Sequence, residues 1–399
     1  MILNKKTFFY KHPSFGCYIF VPGSNSFLKT NEKCHNALKL GDFSTFNDAE
    51  LKVLQKYNLI DSSQKKNQTI SLGLKVTSAC NLNCEFCSQK NIPVKKQLMD
   101  WNTAKASVDK FLSVSSKKYK IGFFGGEPLL NFDLIEKALA YVHRIKADKD
   151  VMFHLNTNGS FLQKFGEYLD SEDIVVSVSL EGPRSYYNGN EGHFDAISDS
   201  ISKFKNRDNL LINIVVTSEN IDTIPDLLCE MKDVGNFALC IPSFNLSTLW
   251  TSSGEDMAKK IFNLFAHAKT IGVLLVFSNW AFWKDGTANC SSLAGEGVFV
   301  TQTGECSVCH SVPNILGNVH DMSFRELCNT SKNLPLELKN NIELCKKCDI
   351  YHFCKGGCLA DKKDTRGEHS KFCVFAKSFF KLYVNETIEN GNVITNHTE

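Results

Sequence analysis

The stretch Thr77-Ser-Ala-Cys80-Asn-Leu-Asn-Cys84-Glu-Phe-Cys87 decides the fold, because it puts three cysteines on one short loop after a strand-like segment, residues 71–76. Three thiolates at x3 and x2 spacing can bind three irons of a four-iron cube, which leaves the fourth iron open to a small chelating ligand. A zinc site normally has four protein ligands, and a disulfide framework uses cysteines in pairs. The triad therefore predicts an iron–sulfur cluster at the end of a strand.

The composition narrows the class of protein. The 399 residues are 43% hydrophobic and 22% charged, with a formal net charge of +2. This length predicts two or three domains, and the balanced charge does not favour binding to nucleic acid or to an anionic membrane. Met1–Tyr10 has no apolar core with a cleavage site, and no apolar run approaches about 18 residues. We expect a cytoplasmic protein whose 16 cysteines mostly bind metal, because the cytoplasm keeps thiols reduced.

Residues 1–66 predict a small α+β module. An alternating segment at 16–22, a turn and a second segment at 27–30 are typical of a β-hairpin. Two helices should follow, the first capped by Thr30 or Asn31 and the second capped near Asn47. The polar residues 61–69 then predict a linker.

Residues 67–285 alternate strands with helices, which indicates right-handed βαβ units and a parallel sheet. The strand candidates are 71–76, 119–124, 150–156, 173–180, 210–217 and 237–243. From 286 to 384 the cysteine density rises, as expected of a region stabilised by metal rather than by a large apolar core. The last residues, 385–399, are polar and predict a disordered tail.

The second strand candidate ends in Phe123-Phe-Gly125-Gly126-Glu127-Pro128. Two glycines let a backbone approach a ligand closely, and the carboxylate of Glu127 can pair with an ammonium group. Taken alone, the same residues also fit a tight strand-to-helix turn in which proline starts the helix.

The triad, with an aromatic Phe86 before its last cysteine, resembles the signature of the radical S-adenosylmethionine (SAM) enzymes. The resemblance implies an α/β fold with a partial (β/α)6 barrel, whose chemistry lies at the C-terminal strand ends. It also implies that Cys80, Cys84 and Cys87 hold a [4Fe–4S] cluster whose open iron chelates SAM. The reduced cluster would cleave SAM to a 5′-deoxyadenosyl radical, which abstracts a substrate hydrogen.

The same resemblance implies the SAM contacts. The Gly125-Gly126-Glu127-Pro128 element would contact the amino group of SAM. Leu155-Asn-Thr-Asn-Gly159 and Ser177-Val-Ser-Leu-Glu-Gly-Pro183 resemble elements that line the SAM pocket, with Asn156 and Ser179 as candidates. Many family members carry an arginine for the SAM carboxylate about a dozen residues after that serine. None stands there in this chain, and either Arg184 or Asn190 could compensate.

The C-terminal cysteines resemble the SPASM domain, which holds two auxiliary four-iron clusters. The matching positions are Cys290, Gly304, Cys309, Cys345, Cys348, Cys354, Cys358 and Cys373. The resemblance assigns Cys345, Cys348, Cys354 and Cys373 to a distal cluster, and Cys290, Cys309 and Cys358 to a proximal one. Relatives have a further cysteine about six residues before Cys290, where this chain has Trp283-Lys-Asp285. Either Cys306 substitutes, or the proximal cluster has an open iron. The Cys345–Cys358 spacing alone also fits zinc.

Three functions are compatible with these motifs. The first is a maturase of a ribosomally made precursor peptide, since residues 1–66 resemble a winged-helix-like module where a leader peptide adds as a strand. An electron donor such as flavodoxin or ferredoxin would be its partner. The second is an anaerobic sulfatase-maturing, formylglycine-forming enzyme, although its usual catalytic aspartate is replaced here by His310. The third is a non-catalytic electron carrier or zinc scaffold. We favour the maturase and expect it to install a thioether or carbon–carbon crosslink. The sequence does not identify which bond is formed or which residue is the catalytic base.

Overall fold

The computed structural model describes most of the chain. The described residues are 8–12, 14, 16–21, 26–56, 59, 69–87, 89, 97–242, 246–278, 292, 294–334, 345, 348–354 and 371–390. Two candidate ligands, Cys290 and Cys358, lie outside them, as do Trp283–Asp285 and residues 61–68 of the expected linker. None of the described helices is both long and apolar enough to cross a membrane.

The N-terminal module contains the predicted hairpin and both predicted helices. Its elements are β1 (Phe8–His12), β2 (Gly16–Val21), β3 (Ser26–Thr30), α1 (Glu32–Leu40) and α2 (Asp48–Lys56). The strands form an antiparallel sheet with β2 in the centre, so β1 is a strand that the sequence pattern did not reveal. Asn31 caps α1 by accepting a hydrogen bond from the Cys34 amide. The module has its own small apolar core, formed by Ile19, Leu38, Leu54 and Leu59.

The six predicted strands of the middle region are confirmed. They are β4 (Thr69–Thr77), β5 (Lys118–Gly125), β6 (Asp150–Thr157), β7 (Ile174–Ser179), β8 (Leu210–Val215) and β9 (Asn236–Cys240). They pair in this order and all in parallel. The intervening helices are α3 (Trp101–Leu112), α4 (Phe132–Ile145), α5 (Leu162–Ser171), α6 (Glu191–Ser202), α7 (Ile224–Glu230), α8 (Leu246–Leu249) and α9 (Gly254–Thr270). This is the expected partial barrel, with its strands covered by helices.

The sheet continues beyond both ends of the barrel. The added strands are β10 (Leu275–Phe277), β11 (Gly297–Val300), β12 (Glu305–Cys309) and β13 (Val312–Asn318). Strand β10 pairs in parallel with β9, and β11 pairs in parallel with β4, while β12 and β13 continue from β11 in antiparallel order. The cysteine-rich region therefore shares a sheet with the barrel. Its helices are α10 (Phe324–Lys332), α11 (Tyr351–Cys354) and α12 (Lys371–Asn390).

Side chains alternate between the two faces of the sheet, as the pleat requires. In β4, Leu72 and Leu74 are buried in the core formed with the helices, so Lys75 lies on the opposite face. In β5, Phe123 belongs to the same core and Phe124 lies on the opposite face. We call the face opposite the helices the inner face.

The prediction of a disordered tail over 385–399 is wrong for residues 385–390, which continue α12. Val384 and Thr387 are buried, and Ile388 packs on the main core. The Tyr10 hydroxyl donates to Asn385 Oδ1 at 2.9 Å, which joins the helix to the N-terminal module. The polar residues between these positions obscured a helical spacing that tertiary packing stabilises. Residues 391–399 lie outside the described residues.

Candidate functional site

The three cysteines of the triad lie together on the loop that follows β4. The Cys87 amide donates to the Cys84 carbonyl at 3.3 Å, and the Leu82 amide donates to Cys80 Sγ at 3.4 Å. Burial, followed by the negative charge of the neighbouring Cys87 thiolate, raises the pKa of Cys84 to about 11. Without metal, Cys84 therefore favours the protonated thiol over the thiolate. A bound cation reverses that preference.

The donor set fits a cluster better than a single ion. Within the described ranges, no three histidine, cysteine, aspartate or glutamate side chains lie close enough to hold one metal ion. A single zinc ion needs its thiolates about 2.3 Å from one point. A four-iron cube instead places each thiolate on a different iron, so its ligands are farther apart. Cys80, Cys84 and Cys87 would hold such a cluster on this loop.

Gly125 and Gly126 are needed because the cysteine loop packs directly on them. A Cβ on Gly125 would lie 2.5 Å from the Thr77 carbonyl oxygen, and one on Gly126 would lie 2.2 Å from that of Ala79. The Gly126 and Glu127 amides donate to these same two carbonyls, at 3.0 and 2.8 Å. The glycines therefore bring β5 against the loop itself.

The Glu127 carboxylate does not face a ligand, contrary to the expectation that it pairs with an ammonium group. Glu127 is 0% exposed. One oxygen accepts from the Leu129 amide at 3.0 Å and the Thr157 hydroxyl at 2.8 Å, and the other accepts from the Asn158 amide at 2.7 Å. Burial raises the pKa of Glu127, and these hydrogen bonds oppose the rise. Glu127 joins the ends of β5 and β6, and Pro128 starts a short 3₁₀ turn.

Asn156 and Ser179 lie on the inner face, at the C-terminal ends of β6 and β7, and both are half-buried. Asn158, which sequence reasoning missed, lies beside the triad. Its Nδ2 donates to Asn81 Oδ1 at 2.9 Å and lies 3.9 Å from Cys80 Sγ. Its place in the Thr-Asn-Gly element was the available signal.

Arg184 is not placed to replace the missing arginine. Its Nε and Nη2 donate to the two carboxylate oxygens of Asp195 at 2.8 and 3.0 Å, in a pair that is half exposed at the surface. The other candidate, Asn190, stands just before α6.

Glu181 is a second acid that sequence reasoning did not single out. It follows β7 and is 7% exposed. Its Oε2 accepts from the Val215 amide at 2.7 Å, while Oε1 is buried and has no partner in the described part of the chain. Burial raises the pKa of Glu181 to about 8, and its charge contributes to the raised pKa of Cys84. A buried carboxyl group with a raised pKa therefore adjoins the triad.

The candidate auxiliary ligands lie on several elements. Cys309 ends β12, Cys354 ends α11, and Cys373 lies in the first turn of α12. The Cys348 amide donates to the Cys345 carbonyl at 2.9 Å.

Cys306 is not placed as a substitute ligand. It is 0% exposed within the apolar core, its thiol lies 3.6 Å from the Gly304 carbonyl oxygen, and burial raises its pKa to about 12. These features are those of a buried structural cysteine.

Two family models match parts of the chain, and several known proteins are similar to it over most of its length. A model of the radical SAM superfamily matches residues 74–229, and a model of the SPASM iron–sulfur cluster-binding domain matches residues 290–349. The radical SAM cyclopropyl synthase TigE of Paramaledivibacter caminithermalis is 23% identical over 84% of this chain and 76% of its own. A cysteine-type anaerobic sulfatase-maturating enzyme of Clostridium perfringens is 24% identical over 80% of this chain and 97% of its own.

Solved structures have the same fold. Native anSMEcpe with bound AdoMet superposes with a TM-score of 0.64 at 22% identity, covering 80% of this chain and 98% of that one. Streptococcus suis SuiB bound to its precursor peptide SuiA superposes with a TM-score of 0.56 at 13% identity, covering 92% and 98%. The two family matches identify the chain as a radical SAM enzyme that carries a SPASM domain.

Proposed function

We propose that this enzyme modifies a ribosomally synthesised precursor peptide, by installing a thioether or a carbon–carbon crosslink. When bound, a reduced four-iron cluster and SAM together supply the 5′-deoxyadenosyl radical. The protein positions the peptide residue at the inner face and excludes water from it. The structure of SuiB, which is bound to the precursor peptide SuiA, supports this class of substrate.

The proposal rests mainly on the N-terminal module, whose sheet has one edge at which a peptide strand could add. Its sheet is held at one side by the hydrogen bond from Tyr10 of β1 to Asn385 of α12. On the other side, β3 pairs with β2 alone among the described strands. A leader peptide would add as a further strand along the β3 edge, where main-chain hydrogen bonds supply affinity. In this proposal residues 1–66 recognise the leader, 67–285 form the barrel and 286–384 form the SPASM domain.

The proposal includes three [4Fe–4S] clusters and SAM. The cluster ligands are Cys80, Cys84 and Cys87 in the barrel, Cys345, Cys348, Cys354 and Cys373 at the distal auxiliary site, and Cys290, Cys309 and Cys358 at the proximal one. The SAM contacts are the backbone of Gly125–Pro128, Asn156 and Ser179. Electrons would come from a flavodoxin or ferredoxin.

Sulfatase maturation is the second candidate, and the similarity to the Clostridium perfringens enzyme favours it. Two features favour the peptide maturase instead. The N-terminal module is an addition to the barrel, and His310 stands where the sulfatase-maturing enzymes carry an aspartate after the matching cysteine.

Mass spectrometry of a co-expressed precursor tests the proposal. The product of the small open reading frame next to the gene should lose about 2 Da for each crosslink with the wild-type enzyme, because each new bond replaces two hydrogens. It should stay unmodified with Cys84→Ala, which removes one of three ligands of the barrel cluster. An unmodified precursor together with formylglycine in a co-expressed sulfatase would favour the second candidate.

A further inference from the structure

Two phenylalanine rings cover a pair of glycines on the inner face. Gly73 of β4 and Gly122 of β5 are partners in the parallel register. A Cβ on Gly73 would lie 2.3 Å from Cδ1 of Phe299, and one on Gly122 would lie 2.4 Å from Cε2 of Phe124. Because neither glycine has a side chain, both rings can lie close to the strands. They form an apolar surface, which we call the aromatic floor.

His310 lies on the aromatic floor. Its ring stacks on Phe124 with a centroid distance of 5.6 Å and an interplanar angle of 8°, and it lies 5.5 Å from Phe299. Its Nδ1 is buried and has no hydrogen-bond partner in the described portion of the chain. A buried ring nitrogen in this position is costly unless a ligand pairs with it.

Lys75 supplies a buried positive charge beside this histidine. It is 6% exposed, and its Nζ donates to Gln89 Oε1 at 2.5 Å. Gln89 in turn donates from Nε2 to the His310 carbonyl at 3.0 Å, which links the lysine to the histidine. Among the described residues, no carboxylate forms an ion pair with Lys75. A buried ammonium group without a carboxylate partner favours an anionic ligand.

We propose that Lys75 Nζ and His310 Nδ1 bind a carboxylate of the substrate peptide, with the aliphatic part of that residue on the aromatic floor. The inference rests on the proposed function. Two donors, one of them cationic, match the two oxygens of a carboxylate. The carboxylate is either an aspartate or glutamate side chain or a peptide C-terminus. Asn158 and Glu181, which adjoin the triad from the ends of β6 and β7, are on other strands. Lys75 itself lies near the triad, because burial lowers its pKa while the charge of Cys87 raises it.

Binding of small carboxylates to the anaerobically reconstituted, SAM-loaded full-length enzyme tests this subsite. The probes are N-acetylglutamate α-amide for a side-chain carboxylate, N-acetylalanine for a terminal one, and N-acetylglutamine α-amide as the neutral isostere. Saturation-transfer NMR should detect at least one carboxylate probe and a much weaker signal from the neutral isostere. The carboxylate probe that binds more tightly shows whether the substrate carboxylate is a side chain or a peptide C-terminus. Equal binding of the acid and its neutral isostere, or no binding of either acid, would overturn the proposal.

Variants assign the binding to Lys75. In Lys75→Met the dissociation constant of the carboxylate probe should rise about tenfold or more, because the cation is lost. The matched control Lys120→Met, on the neighbouring strand, should leave it unchanged. Gln89→Glu places a carboxylate beside Lys75 and should block the probe as strongly, even if Lys75→Met folds poorly. Undiminished probe binding in Gln89→Glu would contradict the assignment.

SAM is measured in parallel, because it also carries a carboxylate. In Gln89→Glu the dissociation constant of SAM should change much less than that of the carboxylate probe, since the proposal assigns Lys75 to the substrate and not to SAM. A tenfold loss of SAM affinity with unchanged probe binding would assign Lys75 to SAM and overturn the proposal. These measurements need no peptide turnover. An enzyme that binds the probes but modifies no precursor would therefore contradict the proposed function and leave the carboxylate subsite supported.

Discussion

Glu127 stabilises the strand ends around the triad through its three accepted hydrogen bonds. Glu127→Gln replaces one accepting oxygen with an NH₂ group that faces a donor. We expect this change to lower the free energy of unfolding by about 2 kcal/mol, the cost of an unpaired buried polar group. It should also weaken SAM binding, because the Gly125–Gly126 backbone is no longer fixed.

Chemical denaturation and SAM titration of the anaerobic enzyme measure these two effects. The matched control is Glu136→Gln, an exposed glutamate on α4 that should change stability by less than about 0.5 kcal/mol. If Glu127→Gln lost SAM affinity with full stability, the carboxylate would contact the ligand directly.

A substitution at Gly126 tests how closely β5 approaches the cysteine loop. In Gly126→Ala the new methyl group would meet the Ala79 carbonyl and Cys80 Cβ, so the loop must move. We expect the reconstituted enzyme to lose about four irons, the content of one cluster. Gly192→Ala is the control, because a Cβ there meets no atom within 4 Å. Iron analysis that gives equal values for both variants would contradict the packing described for this loop.

His154 makes stability depend on pH. Burial, assisted by the positive charge of Lys120, lowers the pKa of this inner-face histidine to about 3 from its usual 6.5. The folded state keeps the ring neutral while the unfolded chain takes up a proton. Its contribution is therefore fully present above about pH 6.5 and is lost progressively as the pH falls toward 3.

His154→Gln should remove this dependence. Between about pH 7.5 and 5.5, the wild type should lose up to about 1 kcal/mol more stability than the variant, a value reduced for the partial exposure of the ring. Denaturation curves of the holoenzyme at the two pH values measure the difference. Parallel losses in both proteins would mean that His154 titrates normally.

The residues that sequence analysis found are close together in the chain. Cys80, Cys84 and Cys87 could be recognised because their spacing alone specifies the ligand set. The Lys75–Gln89–His310 group could not, since Gln89 and His310 are 221 positions apart and no local pattern relates them. The buried role of Glu127 was also hidden, because its partners Thr157 and Asn158 belong to another strand.

At the scale of elements, α12 holds the cysteine-rich region on the barrel. Phe379 is 2% exposed, and its ring contacts those of Phe262 and Phe265 on α9 and Phe277 on β10. Phe379→Ala should lower the free energy of unfolding by about 4 kcal/mol, the usual cost of such a cavity. Thermal or chemical denaturation checks this value against Lys381→Ala, an exposed position on the same helix that should be nearly neutral. Comparable stability of the two variants would contradict the packing of α12.

The six barrel strands could be predicted because strands buried on both faces form short apolar runs between helical patterns. Strands β11 to β13 lie in the cysteine-rich region, where the cysteines dominate the pattern, and β10 has only three residues. Helix α12 was not predicted, and its end was assigned to a disordered tail because Asn385, Glu386, Glu389 and Asn390 obscured the buried positions between them.

At the scale of the whole molecule, one sheet runs from the barrel into the cysteine-rich region, while the N-terminal module has a separate sheet and core. The sequence indicated this order of regions. It could not indicate that β11 would pair with β4, since that pairing joins residues more than two hundred positions apart. The contact between Tyr10 and Asn385 joins residues that are still farther apart in the sequence.

The central claim is that the N-terminal module delivers a precursor peptide to the radical SAM barrel. Deleting residues 1–66 removes the β3 edge and leaves the cysteine triad and the inner face in place. Docking at that edge would hold the core segment near the site at an effective concentration of about 1 mM. Without the edge, modification should fall steeply, and adding the 1–66 module in trans at high concentration should restore part of it.

The decisive measurement compares 5′-deoxyadenosine formation without peptide and modification of the full-length precursor, for the deletion variant and the wild type. We expect the rate of 5′-deoxyadenosine formation to stay close to that of the wild type, while the rate of precursor modification falls by about a hundredfold. Modification of the precursor at the full rate by the truncated enzyme would contradict the central claim.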